Sequence, residues 1–111
     1  MSNCIQFKNL YIIFTKDQVD VPAIKKAISG PIDRNTYTSF YPKSFAFTNE
    51  GDLMIDTNAS ADTWKGLMAL GYFMSPFMKT EVIVSLTIRD MHWGSDEWVT
   101  SNYRFRPGLA E

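Results

Sequence analysis

An α+β fold is expected for this chain, and three observations predict it. Segments with an apolar residue at every second position, such as Val82, Val84, Leu86 and Ile88, are interleaved with segments of helical spacing, such as Val21, Ile24 and Ile28. Turn-forming residues separate them at Gly30-Pro31, Gly51-Asp52 and Gly94-Ser95-Asp96. The chain has 111 residues, 45% hydrophobic and 21% charged, which is enough for one core and one domain over 1–111.

The run Ile5 to Phe14 is rich in β-branched and aromatic residues and reads as a strand. Its alternation slips at Lys8-Asn9, which predicts a bulge or a strand buried on both faces. Asp17 or Asp20 caps the next element, and Pro22 suits its first turn. Val21, Ile24, Ala27 and Ile28 then form one helical face, which Gly30-Pro31 ends. Residues 31–43 mix loop signals (Pro31, Asp33, Asn35, Pro42) with strand-forming Tyr37, Thr38, Phe40 and Tyr41.

Ser44 to Thr48 and Leu53 to Thr57 flank Asn49-Glu50-Gly51-Asp52, a hairpin in which Gly51 supplies the positive φ of the turn. Ser60 is the expected N-cap of a second helix that runs to about Phe73 and ends before Pro76. Trp64, Leu67, Met68 and Tyr72 share one face of it by spacing and are expected in the core. Gly66 and Gly71 each forgo about 1 kcal/mol relative to Ala, leaving bare backbone for close approach to a sheet. Val82 to Arg89 alternates as a half-buried strand, and Trp98 to Arg106 alternates again before Pro107-Gly108.

The order strand, helix, strand, strand, helix, strand is the split-βαβ pattern of ferredoxin-like folds, here with an added C-terminal strand. The expectation is a five-stranded, mainly antiparallel sheet of order 2-3-1-4-5 with two helices on one face. Such a fold carries no function of its own.

Composition excludes several classes. One Cys and one His rule out an intrachain disulfide, a Cys-rich zinc site and a multi-histidine metal site. The six glycines form neither GxGxxG nor a P-loop, and no serine lies in GxSxG. In the expected sheet Cys4 and His92 fall at adjoining strand ends, but nothing near them in sequence supplies an oxyanion site, so no catalytic pair is assigned. Asp52, Asp56 and Asp62 match no calcium-loop spacing. No metal, no cofactor and no enzymatic activity are expected. Asn58-Ala59-Ser60 matches a glycosylation acceptor by chance. No basic run precedes a long apolar stretch at the N-terminus, and no segment reaches about 18 uninterrupted apolar residues. A cytoplasmic protein without membrane contact is therefore expected.

The net charge of −1 gives no bulk drive toward nucleic acid. The halves differ: residues 1–43 hold six basic and three acidic residues, and residues 44–111 hold five and nine. A weak single-stranded RNA-binding module is one alternative, since Tyr103-Arg104-Phe105-Arg106 interleaves aromatic and basic residues. A small dimeric ferredoxin-like enzyme with an apolar pocket between sheet and helices is another. The favoured reading is non-catalytic: an inhibitor or immunity-type protein that blocks a larger protein, such as a nucleic-acid-processing enzyme. The contact residues expected for it are Arg34, Tyr37, Phe40 and Tyr41 in the 31–43 segment, Glu50, Asp52 and Asp56 in an acidic tract, and Trp93 and Trp98 around the last turn. Assembly as a homodimer through the edge strand Trp98 to Arg106 is also open.

Overall fold

Lys8, Asn9 and Leu10 divide the first expected strand in two, and each half joins a different sheet. A computed structural model describes residues 4–33, 40–91 and 97–108. The elements are β1 (Ile5–Phe7), β2 (Tyr11–Phe14), α1 (Val21–Ser29), β3 (Ala46–Phe47), β4 (Leu53–Asp56), α2 (Thr57–Ser60), α3 (Trp64–Met74), β5 (Val82–Asp90) and β6 (Val99–Phe105). Short 3-10 turns lie at Pro42–Ser44 and Ser75–Phe77. One sheet has the order β1-β5-β6 and the other β2-β4-β3, with every pair antiparallel. The fold is thus α+β, but in place of the single five-stranded sheet the described residues form six strands in two three-stranded sheets.

The cause of the division is local and polar. Asn9 turns its side-chain amide onto β5, accepting from the Thr87 amide at 2.7 Å and donating to the Ser85 carbonyl at 3.4 Å. The Thr57 hydroxyl contacts the carbonyls of Asn9 and Leu10, and the Asn58 amide bonds both backbone groups of Phe7. Side chains therefore satisfy the backbone where a continuous ladder would otherwise run. The slip in alternation at Lys8-Asn9 marks this break and not a bulge. Asn58, in the chance acceptor motif, is occupied by this bonding.

Both sheets bury one face. Ile5 and Phe7 of β1, Ile12 and Phe14 of β2, Leu53 and Ile55 of β4, Leu86 and Ile88 of β5 and Phe105 of β6 enter one core. Phe14 and Phe105 meet edge to face with centroids 5.1 Å apart, joining the two sheets. The same core holds a group of stacked and edge-on rings, Phe40, Phe45 and Phe73, with Phe77 against Phe73 at 5.5 Å.

The helices start where short polar side chains accept backbone N–H groups. Asp20 accepts from Ala23 to cap α1. The expected cap at Ser60 is corrected: Ser60 ends α2, which Asp56 caps, and α3 is capped by the Thr63 hydroxyl bonded to the Gly66 amide. The buried face of α3 is Gly66, Leu67, Ala69, Leu70, Phe73 and Met74. Of the four residues expected in the core, only Leu67 is buried. The hairpin turn follows expectation, with Gly51 at φ 86°. No helix among the described residues is long and apolar enough to cross a membrane.

Candidate functional site

Helix α3 carries more apolar surface than the sheets can cover. Trp64, Met68 and Tyr72, spaced four residues apart, form a stripe along it and are 40%, 63% and 47% exposed. Lys65 is the one charged residue in α3, so the helix is apolar nearly all round. A helix of that kind is normally buried on every side. Here one side packs on the core and the other is left open.

The stripe forms one wall of a groove of about 420 Å³, which Leu67 and Gly71 also line, with Tyr103, Arg104 and Phe105 of β6 opposite. The indole of Trp64 is held by its Nε1 donating to Asp90 Oδ2 at 3.0 Å. Past Trp64 a second hollow of about 310 Å³ continues along the hairpin between Asp90, Glu97, Val99 and Tyr103. Val99 is 53% exposed there. Burial pushes the ionisation of the Tyr103 phenol above its ordinary value of 10.0, and a side-chain hydrogen bond with Ser101 acts the other way.

Gly71 sits in this groove without a steric reason inside the protein. A Cβ there would meet no atom within 4 Å. The expected close approach to a sheet therefore does not explain this glycine, and its backbone is bare toward the groove.

The other face of the β1-β5-β6 sheet is polar and basic. Arg89 donates to Gln6 Oε1 at 2.6 Å and lies over the Trp98 ring at 5.0 Å, with the Lys8 ammonium 5.9 Å from the same ring. Trp98 is half-buried under these cations. Phe105 is buried in the core and Tyr103 packs against it, so the aromatics named for RNA stacking do not lie on this open face.

The expected contact residues are scattered. Arg34, Tyr37 and Trp93 lie outside the described residues, as does His92. The start of β1 does lie beside the end of β5, where the Met91 amide donates to the Cys4 carbonyl at 3.0 Å. Phe40 is a correction: it is 3% exposed and packs on Phe45 and Phe73, because an aromatic side chain beside the α3 core gains more from burial than from water. Tyr41 is exposed, with its amide bonded to the Ser60 carbonyl. Glu50 is exposed in the hairpin turn.

Of the acidic tract, Asp52, next to β4, and Asp56, its last residue, fall on the less buried side of that strand, opposite buried Leu53 and Ile55. Asp52 accepts the Lys16 amide at 3.0 Å and Asp56 accepts the Ala59 amide at 3.1 Å, at opposite ends of β4 and about 13 Å apart along the strand. Among the described residues, no three His, Cys, Asp or Glu side chains are grouped to hold a metal ion.

Sequence reasoning missed the stripe because spacing alone does not say which face of an all-round apolar helix meets the sheet. The available signal was the excess itself: a short helix with one charge in a chain this small has more apolar surface than one core contact buries. No protein-family model matches this chain, and neither a curated protein nor a solved structure matches it.

Proposed function

We propose that this chain is a small non-catalytic protein-binding module, of the inhibitor or immunity type, that blocks a larger protein through the apolar stripe of α3. The observation that carries the reading is the exposure of Trp64, Met68 and Tyr72 along a groove with Tyr103. Aromatic and Met side chains around a hollow are the composition of a contact hot spot. The target is placed at this groove and not at the acidic tract, because Asp52 and Asp56 already bond backbone amides. A nucleic-acid-processing enzyme remains the proposed class of target. We also read the fold as an interrupted ferredoxin-like sheet, in which β1 and β2 are one broken strand and the neighbours run β3, β4, β2/β1, β5, β6.

Affinity capture from the native host, followed by mass spectrometry, tests the function. The wild-type chain should retain one larger protein, and Met68→Lys and Tyr72→Glu should lose it. Equal capture by wild type and both variants overturns the reading.

A second reading has a specific observation in its favour. A volume of about 420 Å³ is the size of a small-ligand pocket, and Trp64, Met68 and Tyr72 leave it open. An apolar small molecule bound there raises the melting temperature of the wild type and leaves that of Met68→Lys unchanged. A screen of apolar ligands with no shift removes this reading.

A further inference from the structure

We propose that the outer edge of β6, the side away from β5, pairs antiparallel with β6 of a second copy of this chain, about a two-fold axis at Asn102. The inference is independent of the target reading above.

The bonding of β5 determines which groups β6 turns outward. The Thr87 amide donates to Asn9 and the Thr87 carbonyl accepts from Lys8, while the Ser85 carbonyl accepts from Asn9. In an antiparallel strand the N–H and C=O of one residue point to the same side. Ser85 and Thr87 therefore bond toward β1, and their β6 partners, Asn102 and Thr100, turn N–H and C=O away from β5. Arg104, two residues further on, does the same. Among the described residues, β6 has β5 as its one strand neighbour.

The two edges of this sheet are treated differently. On β1 three outward groups are closed: the Ile5 amide bonds the Asp62 carbonyl, and both groups of Phe7 bond Asn58. On β6 the register with β5 is unbroken over seven pairs, from Val82↔Phe105 to Ile88↔Val99. It contains no proline and no bulge, the devices that blunt an edge, and Pro107 stands beyond its end.

The exposed set is self-complementary. Thr100, Asn102 and Arg104 are symmetric about Asn102, so pairing centred there matches Thr100 of each copy with Arg104 of the other and occupies all six outward groups. No like charges face each other directly. On the groove side, exposed Val99 of one copy comes level with Phe105 of the other, whose ring stays in its own core. The product is a sheet of order β1-β5-β6-β6-β5-β1 with two α3 stripes on one side, above a floor of paired β6 strands.

Light scattering of the full chain over a concentration series tests this. The wild type should approach the mass of two chains at high concentration. Asn102→Pro deletes an N–H that points away from β5, so it should keep the circular dichroism of the wild type and remain monomeric. Thr100→Glu, opposite Arg104 of the second copy, should tighten the dimer about fivefold, and Thr100→Arg should loosen it by a similar factor. A wild type that is monomeric throughout, a folded Asn102→Pro that still dimerises, or equal dimerisation of the two Thr100 variants overturns the proposal. So does amide protection of Thr100, Asn102 and Arg104 that arises only with a captured target, which assigns the edge to a target strand.

Discussion

The side-chain amide of Asn58 closes both backbone hydrogen bonds of Phe7: Oδ1 accepts from the Phe7 amide at 3.0 Å, and Nδ2 donates to the Phe7 carbonyl at 3.2 Å. A primary amide carries one acceptor and one donor face, so it stands in for the peptide of a missing neighbour strand. It seals the edge of β1 at the point where the chain leaves one sheet for the other.

Asn58→Ala removes both bonds. It should destabilise the protein by about 1–3 kcal/mol, seen as a lower urea midpoint with an unchanged slope. Asn58→Asp keeps the acceptor, loses the donor and sets a carboxylate against the Phe7 carbonyl. It should be no milder than Ala at neutral pH and should recover on acidification. Equal stability of all three proteins would show that the amide contributes nothing to the edge.

The second prediction concerns the joint between the sheets. Phe14 is fully buried and Phe105 nearly so, with rings at an interplanar angle of 74°. Phe105→Ala should cost about 3–5 kcal/mol, from lost transfer energy plus the cavity left behind. Phe105→Leu should cost less, because it keeps most of the volume. A thermal melt reports both, and a loss under 1 kcal/mol for Ala would mean that the sheets do not depend on this contact.

Gly71 separates stability from binding. A Cβ there meets nothing within 4 Å, so Gly71→Ala should gain about 1 kcal/mol of helix propensity and raise the melting temperature. The same methyl projects into the groove and should weaken target capture. Higher stability with unchanged capture would remove the groove from the contact surface.

Met68→Lys places a charge at the most exposed point of the stripe. Stability should change by no more than about 0.5 kcal/mol, because the side chain is outside the core. Capture of the target should be lost. A large drop in stability would show that the stripe is covered within the protein itself.

Tyr103 makes a pH prediction. Burial raises its ionisation above 10.0 in the folded chain, so the folded state holds that proton longer than the unfolded state does. Its contribution to stability is complete below pH 10.0 and is lost as pH rises through the folded value. In ultraviolet titration of tyrosinate, a step titrating above pH 10.0 should disappear in Tyr103→Phe. An unchanged titration curve would contradict the assignment.

Most element types were legible because they depend on local pattern. Asp20 and Pro22 mark the start of α1, Gly51 requires the positive φ of the hairpin, and the alternation of β5 leaves one way to bury Leu86 and Ile88. The candidate site was legible only in part. Composition showed aromatics in excess, but it pointed to Tyr37, Phe40, Tyr41, Trp93 and Trp98 and not to α3. Phe40 follows Pro31 and Asn35 in a segment that reads as a surface loop, yet it packs on Phe45 and Phe73.

By itself the sequence determined that the chain is α+β, where the turns at Gly30 and Gly51 fall and which residues of β5 and β6 share a face. These follow from backbone geometry and the two side-chain periods, which act over a few residues. Only the tertiary structure decided that Asn9, Thr57 and Asn58 break the first strand between two sheets. It also decided that α3 turns Leu67, Leu70 and Met74 inward and leaves Trp64, Met68 and Tyr72 outside. Both choices depend on what residues distant in sequence offer. A backbone amide bonds whichever acceptor the fold brings to it, and an apolar helix buries the face that the sheet can reach.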